Sequence, residues 1–171
     1  LVAKMIDGIP DYYFYDGHAK FNYDIDSKNR ISFSTYFGQD VLEMDLGPKM
    51  TIDWGNKTFT SQWVHIFNPK FFSHFILAGS TFESNMGMKT DGDSKFNRNN
   101  HINDVTFKSI MSYKTEGSHF YEFGYECKYN DIAFKFSSNE DYDPDSTPNV
   151  AVDAVTNSMY FQDSWDLNIF W

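Results

Sequence analysis

Between Tyr13 and Ile25 the side chains alternate in kind. Odd positions hold Tyr13, Tyr15, Gly17, Ala19, Phe21, Tyr23 and Ile25; even positions hold Phe14, Asp16, His18, Lys20, Asn22 and Asp24. A period of two is that of a β-strand, whose successive side chains point to opposite faces. One face of this strand is apolar and aromatic, and the other is mostly polar and charged. Such a strand belongs at a boundary between an apolar medium and water. A membrane-spanning β-barrel supplies that boundary along every strand, with lipid outside and a wet lumen inside.

The same period recurs along the chain. Strands are expected at about Tyr12–Ile25, Arg30–Leu42, Asn56–Phe67, Phe71–Glu83 and Asp104–Lys114, then from His119 through Phe136, and from Ala154 to the end. Tight polar turns are expected near 26–29, 68–70 and 116–118, where Asn, Asp, Gly and Pro cluster. Longer loops are expected at 43–55, 84–103 and 137–153. Consecutive hairpins alternate ends, so the short turns fall on one rim and the long loops on the other. The fold class read from this is all-β: an antiparallel transmembrane barrel segment of about seven long strands.

Composition agrees. The 171 residues suffice for one domain, and 18 Phe, 11 Tyr and 4 Trp make the chain aromatic-rich. Mean hydropathy is nevertheless −0.53, as expected if each strand is apolar on one face only. The sequence has no apolar run of about 20 residues, the length a membrane helix needs. A net charge of −10 argues against a nucleic-acid partner, since phosphate binding needs a basic surface. The single cysteine, Cys127, excludes an intramolecular disulfide and falls on an apolar face between Tyr125 and Tyr129. The chain opens on Leu1 with no signal peptide in view, as expected of a processed or excised start.

No catalytic constellation emerges, and the chain reads as a non-enzyme without a cofactor. The five histidines form no HExxH or other close ligand pair. His65 and His119 fall on aromatic faces near strand ends, where a ring with a polar tip suits an interface. Asp91 and Asp93, with Asp141, Asp143 and Asp145, leave calcium open as a minor possibility, although their spacing is not that of an EF-hand. Alternation assigns Asp16, His18, Lys20, Asn22, Gln62, Lys108, Glu122 and Glu126 to a lumen. It assigns Tyr13, Phe21, Tyr23, Phe33, Trp63, Phe107, Tyr121, Phe123 and Tyr125 to a lipid-facing surface.

Several segments carry a resemblance. Pro10-Asp11-Tyr12-Tyr13-Phe14-Tyr15-Asp16 continues through Ala19-Lys20-Phe21-Asn22-Tyr23. Arg30 to Asp40 ends in Tyr36-Phe37-Gly38-Gln39-Asp40, and Trp54-Gly55-Asn56 leads to Trp63, His65 and Phe67 and then Asn68-Pro69-Lys70. Tyr160-Phe161-Gln162-Asp163-Ser164-Trp165 follows near the end. In this order they resemble barrel segments of TonB-dependent outer-membrane receptors of the Bacteroidetes type. The resemblance implies a barrel of about 22 strands with a plugged lumen, and nutrient import driven by the inner-membrane TonB complex. The nutrient could be a siderophore, a vitamin or a glycan. Residues 1–171 would be a single segment, roughly a third of such a barrel. Its implied partners are outer-membrane lipid, the remaining strands and plug, the TonB complex through parts with no counterpart here, and a surface lipoprotein. Its implied location is the bacterial outer membrane.

Two alternatives stand beside this reading. A complete eight-stranded outer-membrane barrel fits the chain length and the alternating, aromatic C-terminus of Trp165, Leu167, Ile169 and Trp171. A soluble β-barrel or sandwich binding an apolar ligand fits the strand pattern as well.

Overall fold

The structure, a computed structural model, describes residues 10–45, 47–89, 95–138 and 149–166. Seven strands form one sheet: β1 (Asp11–Asp24), β2 (Asn29–Asp45), β3 (Lys49–Asn68), β4 (Phe71–Lys89), β5 (Lys95–Lys114), β6 (His119–Ser138) and β7 (Val150–Trp165). Each pairs antiparallel with the next, in the order β1-β2-β3-β4-β5-β6-β7. The sheet does not close: among the described residues, β1 and β7 each have one paired side only.

Register is simple. Odd residues oppose odd and even oppose even across all six ladders, save where β3 shifts between Ile66 and Asn68. One face therefore carries the odd-numbered side chains of all seven strands, and the other carries the even-numbered ones. Among the described residues neither is packed against a second layer. Among the described residues only Val41 is a buried hydrophobic side chain, while Phe21, Leu77, Phe107 and Phe161 are more than 40% exposed. A single sheet cannot hide either of its own faces, so both need cover from something else.

The tight turns match expectation. Connections 25–28, 69–70 and 115–118 lie at one end. Asn68 Oδ1 accepts hydrogen bonds from the amides of Lys70 (2.9 Å) and Phe71 (3.0 Å), an Asx arrangement that closes the two-residue turn. Asp26 does the same for the first turn, accepting from the amides of Lys28 (2.7 Å) and Asn29 (2.9 Å) and from the Asn29 side chain. Those bonds, the Lys28 amide first and the Asn29 side chain next, hold the Asp26 carboxyl below its ordinary value. A depressed folded pKa stabilises the turn fully above the unfolded value of about 3.9, and the contribution is lost as pH falls through the folded value. We expect the Asp26 carboxyl resonance to titrate below that value by NMR; a midpoint at or above it would show the cap unmade.

The opposite rim differs from expectation. Residues 43–55 are not a long loop: β2 runs to Asp45 and β3 starts at Lys49. Residues 84–103 are likewise mostly strand, since β4 reaches Lys89 and β5 starts at Lys95. Within the expected loop 137–153, β6 runs to Ser138 and β7 starts at Val150. The long loops of the sequence reading are largely hairpin arms, with three strands reaching 20 residues. Gly47, in the short connection between β2 and β3, takes φ 96°, a left-handed conformation open to glycine. Asn, Gly and Asp in these arms read as turn residues, but most sit in ladders and hydrogen-bond across strands.

Glycines in the sheet make room for rings. A Cβ on Gly124 would fall 1.9 Å from Cε1 of Tyr160, its partner on β7. The ring lies over the glycine and its hydroxyl donates to Glu122. Gly124→Val should lift the ring and cost about 1–3 kcal/mol in denaturant unfolding. Gly87→Ala, with open space around its Cβ, should be close to neutral.

Candidate functional site

The odd face begins, at the turn end, with rings. Phe71, Tyr113 and Tyr121 are in register, and His119 stacks between Tyr121 (5.8 Å) and Trp165 (5.4 Å). His65 meets Phe67 edge-on at 4.4 Å and shares the Asn29 Oδ1 acceptor with Trp63 Nε1. The row Tyr23–Ile31–Trp63–Phe75–Ser109–Tyr125–Met159 comes next, then Phe21–Phe33–Ser61–Leu77–Phe107–Cys127–Asn157, then Ala19–Thr35–Phe59–Gly79–Val105–Tyr129–Val155. These rows make a continuous apolar belt. Its turn border carries Trp, Tyr and His, while its middle row is largely Phe and Leu, with Ser61, Cys127 and Asn157 among them.

The belt ends within one row. The next row reads Gly17–Phe37–Lys57–Thr81–Asn103–Asp131–Asp153. Beyond it the odd face is a polar network. Asp53 accepts from Gln39 (3.2 Å) and Asn85 (2.9 Å), and Asn99 donates to Asn85. His101 lies 3.3 Å from Glu83 and 2.6 Å from the Asn103 amide nitrogen.

The even face has the reverse order. Behind the belt it is polar: the row Asn22–Ser32–Gln62–Ile76–Lys108–Glu126–Ser158 lies back to back with it. Lys108 reaches Glu126 at 3.8 Å, Lys128 reaches Asp104 at 3.9 Å, and Gln62 contacts His74 at 3.2 Å. Behind the polar network it turns apolar. Phe82, Ile102, Ile132 and Val152 form one row, followed by Trp54 and Phe134, then Leu42, Ile52, Met86 and Phe136. Tyr12 stacks on Trp54 (6.5 Å) and contacts Phe14 (6.0 Å). Its hydroxyl donates to Asp40, and that bond holds the phenol above its ordinary value. Arg98 lies 5.8 Å over the Phe134 ring. The two faces thus exchange polarity half-way along the strands.

All eight residues assigned to a lumen lie on the even face, and all nine assigned to lipid lie on the odd face. Tyr13 stands apart from the other eight: it pairs with Val41 in the polar half, in the row of Asp53, Asn85 and Asn99. The sequence reading missed the aromatic even-face half entirely. Its signal was present in Trp54, Ile52 and Met50, which keep a period of two at even positions through the supposed loop. The calcium candidates Asp91, Asp93, Asp141, Asp143 and Asp145 lie outside the described residues. Among the described residues no group of three or more His, Cys, Asp or Glu side chains is placed to hold a metal ion.

No protein-family model, curated protein or solved structure matches the chain.

Proposed function

We propose that this chain is a barrel portion of a TonB-dependent outer-membrane receptor, taking part in nutrient uptake. The observation that carries the membrane part is the belt. From Tyr113 to Val105 it spans nine residues of β5, eight steps that cover about 26 Å along a strand at ~3.3 Å per residue. At the roughly 40° tilt of outer-membrane barrels this is about 20 Å along the bilayer normal, near the ~25 Å of known barrel belts. Trp and Tyr at its turn border suit a headgroup layer. The polar even face behind the belt suits a wet lumen, and the short-turn rim suits the periplasmic side.

The receptor part rests on the segment resemblance and on the open edges, which call for further strands. On this reading the strands rise well beyond the bilayer on the outer side. The apolar even-face half then lines the external mouth of the lumen, where an incoming solute meets Tyr12, Phe14 and Trp54. A soluble sandwich would need this sheet packed against a second layer, and the described residues supply none.

Single-tryptophan variants test the belt. In vesicles of brominated lipid, a chain keeping Trp63 alone should be strongly quenched and one keeping Trp54 alone should not. Equal quenching of the two would sink the assignment of faces. Sequencing the encoding locus upstream of Leu1 separates the receptor from a small barrel: a plug-sized domain supports the former, and a bare signal sequence overturns it.

A further inference from the structure

We propose that Met44, Met50 and Met88 form a thioether site for a soft monovalent metal ion, Cu(I) or Ag(I). The three residues belong to β2, β3 and β4. Met44 pairs with Met50, and Met50 with Met88, so they occupy one row of the even face on adjacent strands. Directly opposed side chains in an antiparallel sheet have Cβ atoms about 4.5–5.5 Å apart. Methionine is unbranched and flexible, so the outer two sulfurs can lean towards the central one and share an ion. Met86 lies two residues from Met88 on the same face and offers a fourth thioether. All four residues are half-buried.

Two features separate this row from a merely apolar patch. Leu42 and Ile52, paired in the adjoining row, show that the surface accepts ordinary aliphatic side chains, so packing does not require methionine at three registered positions. The donor set is also chemically pure. Among the described residues of these two rows there is no carboxylate or imidazole; the one charged side chain is Arg98, engaged with Phe134. The carboxylate residues Asp11, Glu43 and Asp45 also line the cavity beside Met44 and Met50 but occupy odd-face positions, whereas the thioether sulfurs of the even-face row select Cu(I)-like ions. The site rests on strand register alone, so its failure and that of the membrane reading are separable.

The test uses the whole chain carrying Cys127→Ser, which removes the one thiol that would compete. Silver nitrate is added in chloride-free buffer and read by calorimetry and by the ¹³C-methyl resonances of methionine. The expected result is one Ag(I) per chain, with shifts of the Met44, Met50 and Met88 methyls and none at Met111 or Met159 on the odd face. Met44→Leu/Met50→Leu/Met88→Leu conserves volume and should keep the fold while losing the saturable step. Absence of saturable binding overturns the proposal, as does binding that survives in the triple variant. Equal shifts produced by Zn(II) would overturn the claim of softness.

Discussion

Phe107→Arg should destabilise the chain in a bilayer by about 2–4 kcal/mol, the cost of a charge at the midplane of a barrel's lipid face. Phe107 sits in the middle row of the belt, between Leu77 and Cys127. Thr106→Arg, one residue away, points to the even face between Ala78 and Lys128 and should cost far less. The readout is denaturant unfolding of both variants in the same vesicles. Comparable losses would mean that the two faces meet the same medium, and the belt would not be a lipid contact.

The second large effect lies at the edges. The amide of Asp166 donates to the Ser118 carbonyl, so in β7 even-numbered amides point to β6 and odd-numbered ones point away. Val155, Asn157, Met159, Phe161 and Asp163 thus present outward amides that nothing in the described sheet receives. Each unpaired backbone group in hydrocarbon costs several kcal/mol. Five of them exceed the ~5–15 kcal/mol net stability of a typical domain. If the sheet lies in a membrane as proposed, these amides should therefore be paired by a further strand. Hydrogen–deuterium exchange there should show Asn157 and Met159 protected as well as Ser158 and Tyr160. Rapid exchange confined to the odd positions would show a free edge and count against a larger barrel.

The turn half of the fold was legible in the sequence because one physical boundary governs it. Where one face of the sheet is apolar and the other polar, alternation is strong, and Tyr13–Ile25 and His119–Tyr129 announce their strands at once. The alternation of β4 is weaker because Ile76 and Ala78 stand on the polar face beside Gln62 and Lys108, or Thr60 and Thr106. The loop half was misread because its alternation changes sign. Ile52 and Trp54 are apolar at even positions, whereas Phe59 and Trp63 in the same strand are apolar at odd ones. A reader following one phase sees the pattern dissolve there and infers a loop. Pairing partners restore it: Asp53, Asn85 and Asn99 look like turn residues singly but form a ladder once three strands are set side by side. The face of each candidate residue followed from parity. Which distant residues share a row, such as the three methionines, depends on register and was out of reach.

In the proposed bilayer setting, the change of sign also sets a height. Sinking the sheet by one row, about 6.6 Å along the strands, would draw Lys57, Asp131 and Asp153 into hydrocarbon. Raising it by one row would strip lipid from the rings at the turn border. Either displacement meets a rising cost, so the vertical position is a minimum with walls on both sides. The hairpin arms beyond the belt inherit that setting. On that proposal, anything bound by the arms would be held at a constant distance from the membrane surface, without an anchor dedicated to the purpose.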